Sequence, residues 1–427
     1  MSKIKKNQSG FIVLLFTLII MTVTVGIVLS ISSLTLGQQK ISYNVVKSAQ
    51  AYYTAESGVE DIILRLSKGV QWTTPYTLAV EGGSTNIDVS DAIGGSRTII
   101  SNGSVKDRFR KINIVYEVAS SQIPFFYGAQ AGDGGVEMGN NSRIKGNVFS
   151  NGSVVSTSGK GYIDNSVIVA KNGNRIEGLD VGQDALVYSC VKSTIHRDLT
   201  YVPPGTKSNC SVTGSTNTRD QEVDSLDLPI SLAQVSEWKD EASVNKSLDD
   251  YVLTNGATAS LGPVQIGDIN NPKNLTITNN AHLKITGTIY VTGNVEFSNN
   301  AIVELDKNSY GSFIGFIIAD GRVTVGNNVI LRGSGETGSY LLLLSTNSSL
   351  NPSSPAISVG NNAEGVIFYT TSGLIYLSNN MKAREITGYK IKIDNNAEVQ
   401  YESGLQNAIF SNGPGGSWRV GSWKEVE

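Results

Sequence analysis

The stretch FIVLLFTLIIMTVTVGIVLSISSLTL, residues 11–36, decides how the rest of the chain is placed, because it contains no charged side chain. About 20 apolar residues in a helix span the hydrocarbon layer of a bilayer, so this stretch predicts a transmembrane helix. Lys3, Lys5 and Lys6 precede it, and the positive-inside rule then keeps the N-terminus in the cytoplasm. We expect a single-pass protein of the cytoplasmic membrane whose bulk lies outside the cytoplasm.

The helix is expected to continue beyond the membrane. A cleaved secretory signal has an apolar region of only about 7–15 residues, which is shorter than this run. No proline interrupts residues 11–66, and apolar side chains recur every three or four positions after the run, as they do on one face of a helix. These side chains are Ile41, Val45, Ala49, Tyr52, Ala55, Val59, Ile62 and Leu66. The sequence therefore predicts one helix over residues 11–66 whose outer half packs against an exported domain.

The leader before this helix and a stretch near the end of the helix carry a family resemblance. A short basic leader, residues 1–10, ends in Gly10 immediately before Phe11, and residues 51–60 read AYYTAESGVE. This combination resembles a type IV prepilin or pseudopilin, and the second stretch, with Glu56 and Glu60, resembles the end of the PilX N-terminal family of minor pilins. The resemblance implies that a prepilin peptidase cleaves between Gly10 and Phe11 and methylates the new amine. It also implies that the helix assembles with other pilin or pseudopilin subunits.

One position departs from the pattern of major pilins. They usually carry Glu five residues into the mature chain, whereas this chain has Leu15. A charge buried in the membrane is costly when it is unpaired, so losing it changes which neighbours the subunit tolerates. In this respect the chain resembles minor pseudopilins of the tip-located K type. An uncleaved single-pass anchor remains the alternative.

Residues 67–123 have the pattern of a small antiparallel sheet. Short alternating runs predict strands at 76–80, 86–89, 97–101 and 108–118, with Asn102-Gly103 among the turn signals. The register of the last strand is left open, because Phe109, Ile112, Ile114 and Tyr116 compete for its two faces. We expect this pilin-like sheet to cover the apolar stripe of the helix.

The rest of the chain is repetitive. ITNNAHLKI at residues 277–285 is echoed by FSNNAIVEL at 297–305, and Asn-Asn recurs at 140–141, 327–328, 361–362, 379–380 and 395–396. Asn tolerates the left-handed conformation of a sharp corner, and the runs that follow bury every second side chain. Spacings of about 16 to 34 residues favour a parallel β-solenoid, with antiparallel hairpins as the alternative. The predicted fold is therefore α+β and mostly β, with coils at 124–190 and a main solenoid with a C-terminal cap at 256–427.

An insertion is expected at residues 191–255. It contains a short helix around 229–238, in which Ser231 and Gln234 match a capping box and Trp238 is expected to be a core anchor. Cys190 and Cys210 are the only cysteines. An even count in an oxidising compartment favours a disulfide, although two buried thiols or a metal site are alternatives.

The C-terminal cap is predicted from two aromatic residues. Trp418 and Trp423 lie close to a glycine-rich turn at 413–416, on its C-terminal side. The open end of a solenoid needs a cover that blocks pairing with other chains. We expect these two residues to cap the last coil.

Composition points away from catalysis. A net charge of −3 at pH 7 gives no basic footprint, so no specific nucleic-acid partner is expected. The Asp residues are scattered, and the Gly-rich loop at 333–339 lacks the lysine of a phosphate loop. We expect no enzyme activity, cofactor or metal.

Three functional hypotheses remain. The first is a minor pilin or pseudopilin that joins or caps a type IV filament and displays the solenoid for assembly or adhesion, with a surface glycan or host-surface ligand as candidate partner. The second is a membrane-anchored surface solenoid, either an adhesin or an envelope scaffold, that never enters a filament. The third is a β-helix carbohydrate-active enzyme.

Overall fold

The computed structural model describes residues 9–68, 75–90, 96–118, 120–122, 125–363, 367–402, 405, 409–411 and 418–426. These residues form a long helix under a small antiparallel sheet, followed by a parallel β-solenoid. The three leader lysines and the turn at 413–416 lie outside the described residues.

The N-terminal helix α1 (Ser9–Lys68) is unbroken over 60 residues. At 1.5 Å per residue it is about 90 Å long, three times the thickness of a hydrocarbon layer. Its apolar segment is exposed along its whole length, whereas Ala51, Ala55, Val59 and Ile62 are completely buried under the sheet. The long helix is confirmed, but the sheet covers only the upper part of its apolar stripe.

The sheet consists of β1 (Tyr76–Val80), β2 (Gly83–Val89), β3 (Ser96–Val105) and β4 (Arg108–Val118), paired antiparallel in that order. Ile112, Ile114 and Tyr116 of β4 are buried and Phe109 is exposed, which settles the register that the sequence left open.

The turn predicted at Asn102-Gly103 is wrong, since β3 continues through it and the chain turns at Lys106-Asp107. Gly103 lies there because the strand touches the helix: a Cβ atom on Gly103 would be 2.2 Å from the carbonyl oxygen of Ala51.

The chain leaves the sheet through β5 (Ser120–Gln122) and enters the solenoid. The first half of the solenoid consists of short strands: β6 (Ala129–Met138), β7 (Arg143–Lys145), β8 (Val148–Ser150), β9 (Val154–Ser156), β10 (Gly161–Ile163), β11 (Val167–Val169), β12 (Arg175–Glu177), β13 (Leu179–Val181), β14 (Ala185–Val187), β15 (Ser189–Val191), β16 (Thr194–Ile195), β17 (Leu199–Tyr201), β18 (Lys207–Ser208), β19 (Ser211–Val212) and β20 (Thr216–Thr218).

After helix α2 (Leu232–Ala242) the second half begins, and it also contains the one-turn helix α3 (Lys307–Tyr310). Its strands are β21 (Lys246–Ser247), β22 (Tyr251–Leu253), β23 (Thr258–Leu261), β24 (Val264–Asp268), β25 (Asn271–Pro272), β26 (Leu275–Ile277), β27 (His282–Ile285), β28 (Ile289–Val291), β29 (Val295–Phe297), β30 (Ile302–Leu305), β31 (Gly315–Ala319), β32 (Val323–Val325), β33 (Ile330–Arg332), β34 (Leu341–Ser345), β35 (Ile357–Val359), β36 (Ile367–Thr370), β37 (Leu374–Leu377), β38 (Lys382–Ala383), β39 (Glu385–Ile393) and β40 (Glu398–Gln400).

Parallel pairing stacks these strands, except β25, into three ladders, one on each side of the solenoid. β25 pairs antiparallel with β24. The first ladder runs β21-β24-β28-β31-β34-β36-β39-β6-β8-β11-β14-β17-β20. The second runs β22-β26-β29-β32-β35-β37-β39-β6-β9-β12-β15-β18. The third consists of two stretches, β23-β27-β30-β33 and β38-β40-β7-β10-β13-β16-β19.

The order of the coils along the axis is not their order in the chain. The chain enters at β6 in the middle, coils outward to β20, and returns through residues 219–245, which include α2. It then coils back from the far end until β39 lies beside β6. The two halves thus close on each other, and one apolar core fills both.

The coils reach further than the sequence predicted. Parallel pairing continues to Thr218, so the predicted insertion at 191–255 is wrong in its boundaries and the interruption covers residues 219–245. These coils lack the Asn-Asn signal, because their corners contain Lys192-Ser193 and Asn209-Cys210 instead.

The Asn-Asn pairs turn the corner between the second and third ladders. In each of the pairs quoted above at least one Asn has a positive φ, including Asn279, Asn280, Asn299 and Asn300. A further pair, Asn270-Asn271, lies instead at the antiparallel turn between β24 and β25. The amide nitrogen of Asn299 donates to the side-chain oxygen of Asn279 at 3.1 Å, and Asn300 donates to Asn280 at 3.2 Å. The corner prediction depended on the left-handed backbone that Asn tolerates. The side-chain amides of Asn also form hydrogen bonds between neighbouring coils along the solenoid axis.

The C-terminus returns to the small sheet. β41 (Ile409–Ser411) pairs with β5, and β42 (Trp418–Val426) pairs antiparallel with β4, placing Trp423 opposite Ile114. In sequence, the solenoid is therefore inserted between β4 and β42, which are neighbouring strands of the sheet. The predicted cap of Trp418 and Trp423 on the last coil is wrong, because β42 instead covers the hydrogen-bonding edge of β4.

Candidate functional site: the assembly helix and the solenoid faces

The predicted processing site lies on the first turns of α1. Phe11 is 69% exposed and Leu15 is 50% exposed. A Cβ atom on Gly10 would meet no other atom within 4 Å. The structure therefore leaves Gly10, Phe11 and Leu15 open to a partner.

The glycine of the AESGVE stretch lies at a close approach between helix and sheet. A Cβ atom on Gly58 would be 2.6 Å from Ser101 Oγ, 2.6 Å from Thr85 Cγ2 and 2.9 Å from Ile87 Cγ1. Ser101 Oγ donates to the carbonyl oxygen of Ala55 at 2.7 Å and lies 2.7 Å from Thr85 Oγ1. This buried connection was not predicted from the sequence. The small residues Ala51, Ala55 and Gly58 on one helix face were the signal that could have revealed it.

The acidic side chains of α1, Glu56, Glu60 and Asp61, lie near its C-terminal end and differ in their partners. Asp61 accepts hydrogen bonds from Arg65 at 2.6 Å and from Tyr76 at 2.7 Å, and the bond from Arg65 is the main cause that lowers its pKa. Glu56 is half-buried and Glu60 is exposed. Neither of these two carboxylates forms an ion pair with any other described residue.

The lower end of the sheet clasps the helix with basic side chains. Lys106 donates to Tyr43 OH at 3.0 Å, Arg108 to Asn44 at 2.7 Å, and Arg110 to Ser48 at 2.8 Å. The hydrogen bond from Lys106 lowers the pKa of Tyr43. A groove of about 700 Å³ opens beside this clasp, with Val45, Ala49, Tyr52 and Tyr53 among its lining residues.

Helix α2 covers the outside of the first ladder. It begins with the predicted capping box of Ser231 and Gln234. Trp238 is 2% exposed and its ring centroid lies 4.3 Å from that of Phe316, so it is a core anchor as predicted. Lys239 pairs with Asp320, which also accepts a hydrogen bond from Tyr290.

The third ladder contains a cleft between β33 and β38. Its volume is about 1000 Å³, and it is lined by side chains of both signs: Lys284, Arg332, Lys382, Arg384, Glu304, Glu336 and Glu402. Several of these charges pair within the wall, with Arg384 at 2.8 Å from Glu402 and Lys307 at 2.8 Å from Glu336. The cleft therefore presents ion-paired groups of both signs on the third ladder.

The remaining chemically active side chains are separated. His196 Nε2 lies 2.8 Å from Asp180 and His282 Nε2 lies 3.0 Å from Glu304, on different halves of the solenoid. Among the described residues, no three His, Cys, Asp or Glu side chains are grouped to hold a metal. Cys190 and Cys210 form a disulfide that joins neighbouring coils at the β20 end.

Comparison with known proteins adds one family match. Residues 9–60 match the PilX N-terminal family. No curated protein matches the chain. Among solved structures, the competence-associated pilin ComZ from Thermus thermophilus is 10% identical, with 89% of this chain and 97% of that chain covered and a TM-score of 0.28. An ice-binding protein from the Antarctic ascomycete Antarctomyces psychrotrophicus is 11% identical, with 65% of this chain and 95% of that chain covered and a TM-score of 0.19.

These two likenesses are too distant to carry an argument. The family match covers the part of α1 that holds Gly10, Phe11 and the Ala55-Glu56-Ser57-Gly58 signature. The likeness to the PilX N-terminal family is therefore that of the N-terminal segment, residues 9–60 of the 427-residue chain.

Proposed function

We propose that the chain is a minor pilin or pseudopilin-like subunit that joins or caps a type IV pilus-like filament and displays its solenoid outside the cell. The carrying observation is the division of α1. One face of its upper part, from Ala51, is buried under the sheet, and its lower part is apolar and exposed over the full length of a membrane span. A helix with such a free apolar surface requires a bilayer or neighbouring helices around it.

Processing precedes assembly in this proposal. A prepilin peptidase cuts between Gly10 and Phe11 on the cytoplasmic side and methylates Phe11. The helix leaves the N-terminus inside and the solenoid outside the cytoplasmic membrane. Leu15 supplies no carboxylate to a neighbouring amine, which favours a tip or other special position over the filament shaft.

The function of the solenoid in this proposal is contact, not catalysis. The cleft in the third ladder presents both signs of charge, which suits a surface glycan or a host-surface ligand. The same solenoid on an uncleaved anchor would act as an adhesin or envelope scaffold.

Leader processing separates these two functions. Intact-mass measurement of the membrane-extracted protein, from cells with and without the peptidase, should give a chain that starts at methylated Phe11 only when the peptidase is present. Gly10→Val should block this cleavage without disturbing the fold, because a side chain at Gly10 meets no other atom.

Gly37→Val is the matched control, since Gly37 lies on the same helix with the same open surroundings. It should be cleaved normally. A mature protein that keeps residues 1–10 in cells with an active peptidase would refute the pilin assignment and favour the anchored adhesin.

A further inference from the structure

We propose that the turn between β3 and β4, together with one face of α1, forms a basic collar that binds the anionic headgroups of the membrane that the helix spans. The basic collar consists of Lys40, Lys47, Lys106 and Arg108. This inference rests on the membrane anchoring proposed above and adds a lipid ligand that the anchoring alone does not require.

The geometry brings the sheet down toward the membrane. Ser101 of β3 bonds to Ala55, whereas Lys106, in the turn directly after β3, bonds to Tyr43, which lies twelve residues lower on the helix. At 1.5 Å per residue this is a descent of about 18 Å. The turn at Lys106-Asp107 is therefore the part of this hairpin nearest to the apolar segment.

The distance to the bilayer is short. Lys40 lies four residues above Leu36 and Tyr43 lies seven above it, or about 6 and 10 Å along the axis. The headgroup layer is about 5–8 Å thick on each side. At physiological salt the electrostatic attraction of its charges extends over a screening length of about a further 8–10 Å. Lys40 thus lies within the headgroups, and Lys106 and Arg108 lie within reach of their charge.

The charges converge on one helix face. Lys40, Asn44 and Lys47 follow one another at intervals of four and three residues, and Arg108 bonds to Asn44 on that face. Tyr43 is held between two ammonium groups, with Lys47 and Lys106 each 5.7 Å from its ring centroid. A tyrosine among lysines at this depth is typical of a membrane interface.

The collar is not neutralised within the chain. None of its four cations forms an ion pair with a carboxylate in the part of the chain that the structure describes, and Asp107 is the one acid in the turn. The acidic side chains of the helix, Glu56 and Asp61 among them, begin further up and away from the membrane. Positive charge below and negative charge above is the arrangement that an anionic surface attracts.

The test uses the full chain inserted in lipid nanodiscs, with amide hydrogen exchange at Lys106 and Asp107 as the readout. Discs that contain phosphatidylglycerol should slow this exchange relative to discs of phosphatidylcholine alone. One Lys or Arg at an anionic surface gives about a fivefold gain in association, so Lys40→Gln/Lys106→Gln should lose most of the effect. High salt should also abolish it, since the screening length falls to about 3 Å at 1 M.

Lys192→Gln/Lys246→Gln, two exposed lysines of the solenoid, is the matched charge control and should keep the full difference between lipids. Exchange at Ile99 of β3 and Ile114 of β4, which pair with each other in the sheet, should stay unchanged in every variant and report an intact fold. Equal exchange in both lipids, or an undiminished difference in the double variant, would overturn the inference.

Two other outcomes are distinguishable. Protection that rises with protein concentration and ignores lipid charge would also overturn it, and would assign the collar to the acidic part of a neighbouring copy. Failure of the chain to insert into discs would contradict the membrane anchoring itself.

Discussion

Gly58→Ala is expected to destabilise the contact between α1 and the sheet. The added Cβ atom would lie under 3.0 Å from side-chain atoms of Ser101, Thr85 and Ile87, all buried. Overpacking of this kind costs about 1–3 kcal/mol, and moving Ser101 away would also weaken its bond to Ala55, which is worth about 1 kcal/mol. Alanine returns about 1 kcal/mol through its higher helix propensity. The net loss should be about 1–3 kcal/mol.

Amide hydrogen exchange of residues 51–62 in the full chain measures this loss directly. Gly37→Ala is the matched control on the same helix. A Cβ atom there meets no other atom within 4 Å, so only the propensity gain applies and the helix should be stabilised by about 1 kcal/mol. If both variants stabilise equally, the close approach at Gly58 is not what makes this position a glycine.

Three further outcomes are expected. Replacing Cys190 and Cys210 by Ser should loosen the β20 end by about 2–4 kcal/mol, seen as faster proteolysis of residues 199–218 with no change near β39. Burial raises the pKa of the Glu385 carboxyl, which is held by Thr387. The contribution of this carboxyl to stability is therefore fully present below its unfolded pKa of about 4.3, and it is lost as the pH rises through the raised folded pKa. Glu385→Gln should consequently unfold at a higher temperature than wild type at pH 7 and at the same temperature near pH 4. Asn300→Ala should cost about 1–2 kcal/mol because Asn300 has a φ of 62°, whereas Asn300→Gly should be nearly neutral in denaturant titration.

Much of the fold follows from local pattern. The unbroken apolar helix and the Asn-Asn corners are each determined by side chains close together in sequence, and β1 and β4 have the bounds that their alternation predicts. The capping box of α2 is likewise a signal within four residues. These features depend on backbone conformation and on the period of burial, which sequence carries directly.

The arrangement of the parts does not follow in the same way. Every coil has the same apolar pattern, so nothing in the sequence says that β39 rather than β20 lies beside β6. The partner of β42 is three hundred residues away, and its tryptophans suit a solenoid cap as well as a sheet edge. At Gly103, turn propensity and close packing against Ala51 both call for glycine, and only the structure distinguishes them.

The insertion of the solenoid through β5 and β41 determines how a pulling force would travel. Both chain crossings lie at mid-length, next to the paired strands β6 and β39. Tension on a ligand held near the middle would pass directly to the small sheet and α1, and the outer coils would carry no force. Tension on a ligand held at an end would act as a lever and peel the coils from that end, one rung at a time. At the β20 end the outermost rung is tied to the next by the disulfide between Cys190 and Cys210, so peeling from that end would meet a covalent bond.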